Sequence, residues 1–320
     1  MRYEITHRTS YAYSSDVSVS HHVARLAPRT LPTQQCFAYE LTVLPQPALL
    51  SAREDYYGNR ATFFTVAGSH RTLVVTARSQ VSLSPRVLPA PAATPPWETV
   101  RDLFRRHDAA PGTDVQEFIF PSVMIQRLPE LGGYAVESFV AGRPLLEAVL
   151  DLTRRMFADF TFDPKATTVA TPLEQVIKHR RGVCQDFAHF QIGCFRALGL
   201  PARYVSGYLE TLPPPGKARL VGADASHAWV QVFIPGTGWV DVDPTNNLLP
   251  SERHITLAWG RDFSDVSPIR GVIVGGGKHA LSVSVDVKPL SETAEGSERV
   301  SGAVGQAMMQ SQSQNRQEQR

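Results

Sequence analysis

The chain has 320 residues, 42% of them hydrophobic and 19% charged, far from the low-hydrophobicity, high-charge signature of disorder. At about 100 to 200 residues per domain there is room for two domains with buried cores. Lys and Arg total 32 against 30 Asp and Glu, a net charge of +2 with the basic residues scattered, so neither nucleic acid nor an anionic membrane is an expected partner. The three cysteines, Cys36, Cys184 and Cys194, are too few for a disulfide framework, which points to a reducing compartment. With no signal-like apolar run and no stretch of about 18 apolar residues, the expected location is cytoplasmic.

Residues 1–84 hold short β-rich runs (Arg2 to Ile5, Phe37 to Leu44, Ala61 to Val66, Leu73 to Leu83) separated by turn residues, the pattern of an antiparallel β domain. From Pro85 to Pro96 five of twelve residues are proline, which excludes helix and central strand and marks a linker. A second domain is expected over 97–290. It is helical first, with Leu145, Leu146, Val149, Leu150, Leu152, Met156 and Phe157 at roughly helical spacing after Gly142-Arg143-Pro144. A helix over 184–198 follows, then strands near 202–210, 226–234 and 238–243 and a last hairpin near 270–287, an α+β order. Residues 291–320 contain no aromatic residue and six glutamines, the composition of a disordered tail.

Chemistry concentrates in Arg180-Arg181-Gly182-Val183-Cys184-Gln185-Asp186-Phe187-Ala188-His189. Gly182 suits a turn into a helix, and Gly199 with Pro201 supplies its stop. Cys184 then lies in the first turn, where unpaired N–H groups and the helix dipole favour thiolate. A buried structural cysteine is the alternative. The segment Asp224-Ala225-Ser226-His227-Ala228-Trp229-Val230-Gln231-Val232 alternates strictly, with His227, Trp229 and Gln231 on one face. After Pro235-Gly236-Thr237-Gly238, the run Trp239-Val240-Asp241-Val242-Asp243 puts Trp239, Asp241 and Asp243 on one face. With Trp229 opposite Asp243, His227 and Asp243 become diagonal neighbours about 7 to 8 Å apart at Cα. Cysteine catalysis needs a base within reach of the thiol and a group orienting that base, roles open to Cys184, His227 and Asp243.

Three motifs in this order, G-V-C-Q-D-F-A-H, S-H-A-W-V-Q-V and G-W-V-D-V-D-P-T-N, resemble the core of the bacterial transglutaminase-like proteins, whose fold is similar to that of papain-like cysteine proteases. The likeness extends through Asp159 to Phe162, Leu200 to Leu209 and Gly260 to Pro268. Asp55-Tyr56-Tyr57-Gly58-Asn59 lies in a segment similar to that family's N-terminal β domain. The resemblance implies a papain/transglutaminase-like α+β core behind an antiparallel β domain. It also implies Cys184 as nucleophile, His227 as general acid/base and Asp243 orienting it, with a thioester formed from a peptide or protein amide and no cofactor. Peptidase or amidase hydrolysis is the first expectation. Acyl transfer to an amine and a non-catalytic binding protein on the same fold are the alternatives. Where the family commonly has Tyr in its F-x-Y element this chain has Phe162, which leaves the second oxyanion donor unassigned.

Other signals have plainer readings. His189 lies about 140° around the helix from Cys184 and reads as structural, and Cys194, about 15 Å along the axis, reads as core. Gly275-Gly276-Gly277-Lys278 lacks phosphate-loop spacing and reads as a hairpin turn; Asp55 to Asn59 reads as a β-turn. No metal-ligand motif occurs, so no metal is implied. The oligomeric state has no signature in the sequence.

Overall fold

The computed structural model describes residues 1–106, 113–211 and 225–290; the expected tail, 291–320, lies outside the described residues. The N-terminal sheet is built on one long strand, β1 (Arg2–Ala24), far longer than the Arg2 to Ile5 run that propensity marks. Its inward positions alternate as Tyr3, Ile5, His7 and Thr9, so a polar pair continues the buried face that two apolar residues begin. Around it stand β2 (Gln34–Leu44), β3 (Leu49–Glu54), β4 (Arg60–Val66) and β5 (His70–Leu83), in the order β2-β5-β1-β4-β3.

The last hairpin departs from the expected domain boundary. Its strands β12 (Ile269–Gly275) and β13 (His279–Leu290) pair with β1, at Val17–Ala24 and Arg2–Tyr13 respectively, so it completes the N-terminal sheet and is no part of the core sheet. The cause is β1's central position: β4 and β5 occupy one edge, and the hairpin satisfies the N–H and C=O groups of the other. Gly275, Gly276 and Gly277 all have φ between +60° and +92°, which confirms the turn reading of the triple glycine.

The core domain begins with α1 (Trp97–Arg106), α2 (Thr113–Gln116), α3 (Pro129–Ala135) and α4 (Leu145–Asp159). Two short strands, β6 (Thr161–Phe162) and β7 (Arg181–Gly182), pair in parallel on either side of α5 (Leu173–His179). Then come α6 (Cys184–Ala197), β8 (Ala202–Leu209), β9 (Ala225–Ile234), β10 (Gly238–Val242), β11 (His254–Gly260) and α7 (Phe263–Val266). The sheet is antiparallel in the order β10-β9-β8-β11. One face, carrying Val230, Val232 and Val240, shares a core with Phe187, Phe190 and Phe195 of α6 and with Leu145, Val149 and Leu152 of α4. The linker is ordered: the Arg86 guanidinium donates to the carbonyls of Trp239 and Thr237, and Thr94 Oγ1 accepts from the Leu146 N–H.

The N-terminal sheet covers the other face. Tyr3, Ile5, Val81, Leu83, Val285 and Val287 bury against Tyr208, Ile255 and Leu257, a shared hydrophobic core between the two units. The exposed edge of β11 is sealed by side-chain amides. Gln34 donates to the Thr256 carbonyl and accepts from its N–H, both at 2.8 Å, while Asn59 does the same to Trp259 at 2.8 and 3.0 Å. Asp55 to Asn59 therefore is a turn, as expected, and also a clamp between domains. Among the described residues no helix is long and apolar enough to cross a membrane.

Candidate active site

Cys184 opens α6, whose N-cap Val183 is extended. Asp186, third in the helix, reaches back so that its Oδ2 accepts from the Val183 N–H at 2.8 Å and from Thr167 Oγ1 at 2.6 Å. That return explains Gly182, whose φ is not left-handed: a Cβ there would overlap the Asp186 carboxylate. The helix start is thus fixed by close approach of a side chain to backbone, while Cys184 stays half-buried at its tip.

His227 sits near the start of β9. The hairpin register places Asp241 opposite Gln231 and Val242 opposite Val230, as the alternation predicts, so Asp243 follows opposite Trp229. His227 Nε2 lies 2.8 Å from Asp243 Oδ2, and the Cys184 side chain is near enough to the His227 ring to help raise its pKa. The structure therefore brings Cys184, His227 and Asp243 together. The carboxylate contacts Nε2 of the ring, and Nδ1 is left for the thiol.

Asp243 is fully buried and surrounded by donors. Oδ1 takes the N–H groups of Thr245 (2.9 Å) and Asn246 (3.2 Å); Oδ2 takes the Asn246 amide (2.7 Å) and His254 Nε2 (3.2 Å) as well as His227. Burial alone would raise its pKa, but these hydrogen bonds and the charge on His227 hold the carboxyl well below the usual carboxylate range. For His227, burial opposes the charged ring, and hydrogen bonds to Asp243 and Cys184 overcome it, lifting the pKa to about 10. The arrangement stabilises an imidazolium between a carboxylate and a thiol.

Two members of this cluster escape the sequence reading. Asn246 lies within D-P-T-N but has no role assigned by alternation. His254 is on β11, two strands from His227, edge-on to Trp229 at 5.3 Å between ring centroids. His227, Asp243 and His254 present ligand atoms all within 4.8 Å of one another and form the one group of described residues that could hold a metal ion. Both imidazoles already engage Asp243 Oδ2 through Nε2, so an ion there would replace those hydrogen bonds.

The residues set aside as structural behave so. His189 is buried and its Nε2 accepts from the Phe263 N–H at 3.2 Å; burial lowers its pKa to about 4. Cys194 is fully buried, and burial pushes its thiol far up. Phe162 pairs with Gly182 beside the approach to Cys184 and offers no donor, and the Gln185 amide is turned to the Val169 carbonyl at 3.3 Å.

Comparison with known proteins agrees with this fold. Residues 3–82 match the bacterial transglutaminase-like N-terminal region, and residues 135–244 match the transglutaminase-like superfamily. An uncharacterized protein of Mycobacterium tuberculosis is 42% identical over 299 residues, covering 90% of this chain and 93% of that protein. A protein-glutamine gamma-glutamyltransferase of Pseudomonas aeruginosa is 37% identical over 119 residues, 35% of this chain and 18% of that protein. The crystal structure of a candidate cysteine protease from Cytophaga hutchinsonii superposes with a TM-score of 0.70 at 22% identity, covering 92% of each chain, and shares the fold. These likenesses support a cysteine-type enzyme of this fold, and the chain belongs to the bacterial transglutaminase-like family, its β-rich N-terminal region and transglutaminase-like core both present.

Proposed function

We propose that the protein cleaves amide bonds through a Cys184 thiolate, with His227 as acid and base and Asp243 holding it. The observation that carries this reading is His227 suspended between buried Asp243 and the Cys184 thiol, a nucleophile, base and orienting group within hydrogen-bond reach. The sulfur attacks the amide carbonyl carbon, a C–S bond forms and the oxygen takes up negative charge. The Cys184 N–H, in the first turn of α6, is positioned as one donor to that oxygen. As the C–N bond breaks, the imidazolium of His227 gives its proton to the departing amine, leaving a thioester. Water, deprotonated by the now neutral His227, then attacks the thioester and frees the thiolate.

Hydrolysis is the first reading. Transfer to a primary amine is the second, favoured by the relative named as a glutamyltransferase. A peptide library incubated with wild type and with Cys184→Ala, with and without a fluorescent primary amine, tests both. New amines that depend on Cys184 support hydrolysis, and covalent capture of the fluorescent amine supports transfer. Neither product in wild type, beside a normally folded Cys184→Ala control, favours the non-catalytic alternative.

A further inference from the structure

Three of the four tryptophans, Trp229, Trp239 and Trp259, line one cavity of about 440 Å³ between the core sheet and the N-terminal domain. Arg203 of β8 also lines it and is only 7% exposed. Its guanidinium lies 4.1 Å from the ring centroid of Trp239 and 3.8 Å from that of Trp259, and its Nε donates to Gln231 Oε1 at 2.7 Å. Stacked indoles satisfy the faces of a guanidinium and none of its in-plane N–H groups. Both terminal nitrogens of Arg203 have no acceptor among the described residues.

The carboxylate in the cavity wall is already engaged. Asp241 Oδ1 accepts from Trp229 Nε1 at 2.8 Å and from Gln231 Nε2 at 2.7 Å, and Arg86 stands 3.7 Å from Oδ2. Among the residues lining the cavity two cations, Arg203 and Arg86, stand against one carboxylate, Asp241, an excess of positive charge. Among the described residues no carboxylate stands within ion-pair distance of Arg203, and burial, only partly offset by Asp241, lowers its pKa to about 9.

We propose that this cavity is a binding site for a carboxylate-bearing ligand of about dipeptide size, its carboxylate held by the in-plane fork of Arg203 and its body between the indole walls. The site adjoins the reactive cluster through Trp229, whose ring is 6.1 Å from that of His227, and through His254. It is separate from the Cys184 thiol, so the inference stands independently of the reaction proposed there.

Tryptophan emission is the direct readout. Titrating the full-length Cys184→Ala protein with N-acetyl-alanyl-alanine gives a saturable change, while the C-terminal amide of the same peptide, equal in size and uncharged, gives none. N-acetylglutamic acid α-amide, whose carboxylate is on a side chain, separates an acidic side chain from a chain end as the natural ligand, and binding of either supports the site. Arg203→Lys keeps the charge, loses the planar fork and weakens binding about tenfold or more, provided its circular dichroism spectrum is unchanged. The comparison of acid with amide needs no variant and keeps the test intact if Arg203→Lys misfolds. Equal responses to acid and amide, or no saturable response to either acid, would overturn the proposal.

Discussion

Replacing Asp243 by Asn separates the orienting role from shape, because the substitution is isosteric. In the native protein five donors converge on the carboxylate, three on Oδ2 and two on Oδ1. An Asn side chain has one acceptor oxygen. If that oxygen takes the Oδ2 place, the backbone N–H groups of Thr245 and Asn246 face an NH2 group; if it takes the Oδ1 place, His227, His254 and the Asn246 amide do. The imidazolium loses its counter-charge either way. One charge-assisted hydrogen bond at about 1.5–3 kcal/mol corresponds to a loss of about tenfold to a hundredfold in turnover. Asp241 is the control. Its Oδ1 can stay an acceptor for Trp229 and Gln231 in an Asn variant, so Asp241→Asn should change turnover by less than about threefold. An assay independent of substrate is iodoacetamide alkylation near pH 6.5, followed by peptide mapping. Wild type should label Cys184 before Cys36 and Cys194, whose thiols burial pushes up, and Asp243→Asn should slow that labelling in step with turnover. If Asp241→Asn is the damaging change and Asp243→Asn is silent, the assigned cluster is wrong.

The remaining expectations probe the same construction from other sides. His254→Phe removes one donor from Asp243 and should lower turnover about threefold to tenfold with little change in KM, while His254→Gln recovers part of it; a purely packing role for His254 would give equal effects for both. Gly182→Ala pushes the Asp186 carboxylate off the Val183 N–H and should lower the melting temperature by about 2–4 °C while slowing Cys184 alkylation; an unchanged melting temperature would contradict the close-approach argument. His227 has a folded pKa raised to about 10, so its stabilisation is complete below about pH 6.5 and is lost as pH rises toward 10. The stability gap between wild type and His227→Gln should accordingly narrow over that interval in urea melts, and a gap independent of pH would remove the imidazolium from the account. His7 and His189 show the opposite sign: burial lowers both pKa values to about 4, so stability is lost as pH falls from about 6.5 toward 4. Replacing both by Gln should flatten that acid limb.

The reactive helix and the hairpin were legible because each is specified locally. Period-two alternation from His227 to Ile234 and from Trp239 to Asp243 fixes which face each side chain takes, and register follows from the short turn between them. Cys184 announces its place through a glycine before and a glycine and proline after. His254 was not legible, although His254, Thr256 and Ala258 alternate with Ile255, Leu257 and Trp259, because its role depends on which edge of the sheet β11 joins. It joins β8, opposite to β9, and β8 contributes Gly207 between the two histidine strands, paired with His227 on one side and Thr256 on the other. Strand propensity counts a glycine there as a weakness. In the folded protein a Cβ at that position would collide with the Trp229 ring and the Ile255 carbonyl, so the missing side chain is the space into which the indole settles. With the indole lying over β8, the imidazole of His254 packs edge-on to it and still reaches Asp243 from across the sheet. The His254 donor to Asp243 thus depends on a missing side chain on the strand between β9 and β11, a property of three chain segments together that no single segment states.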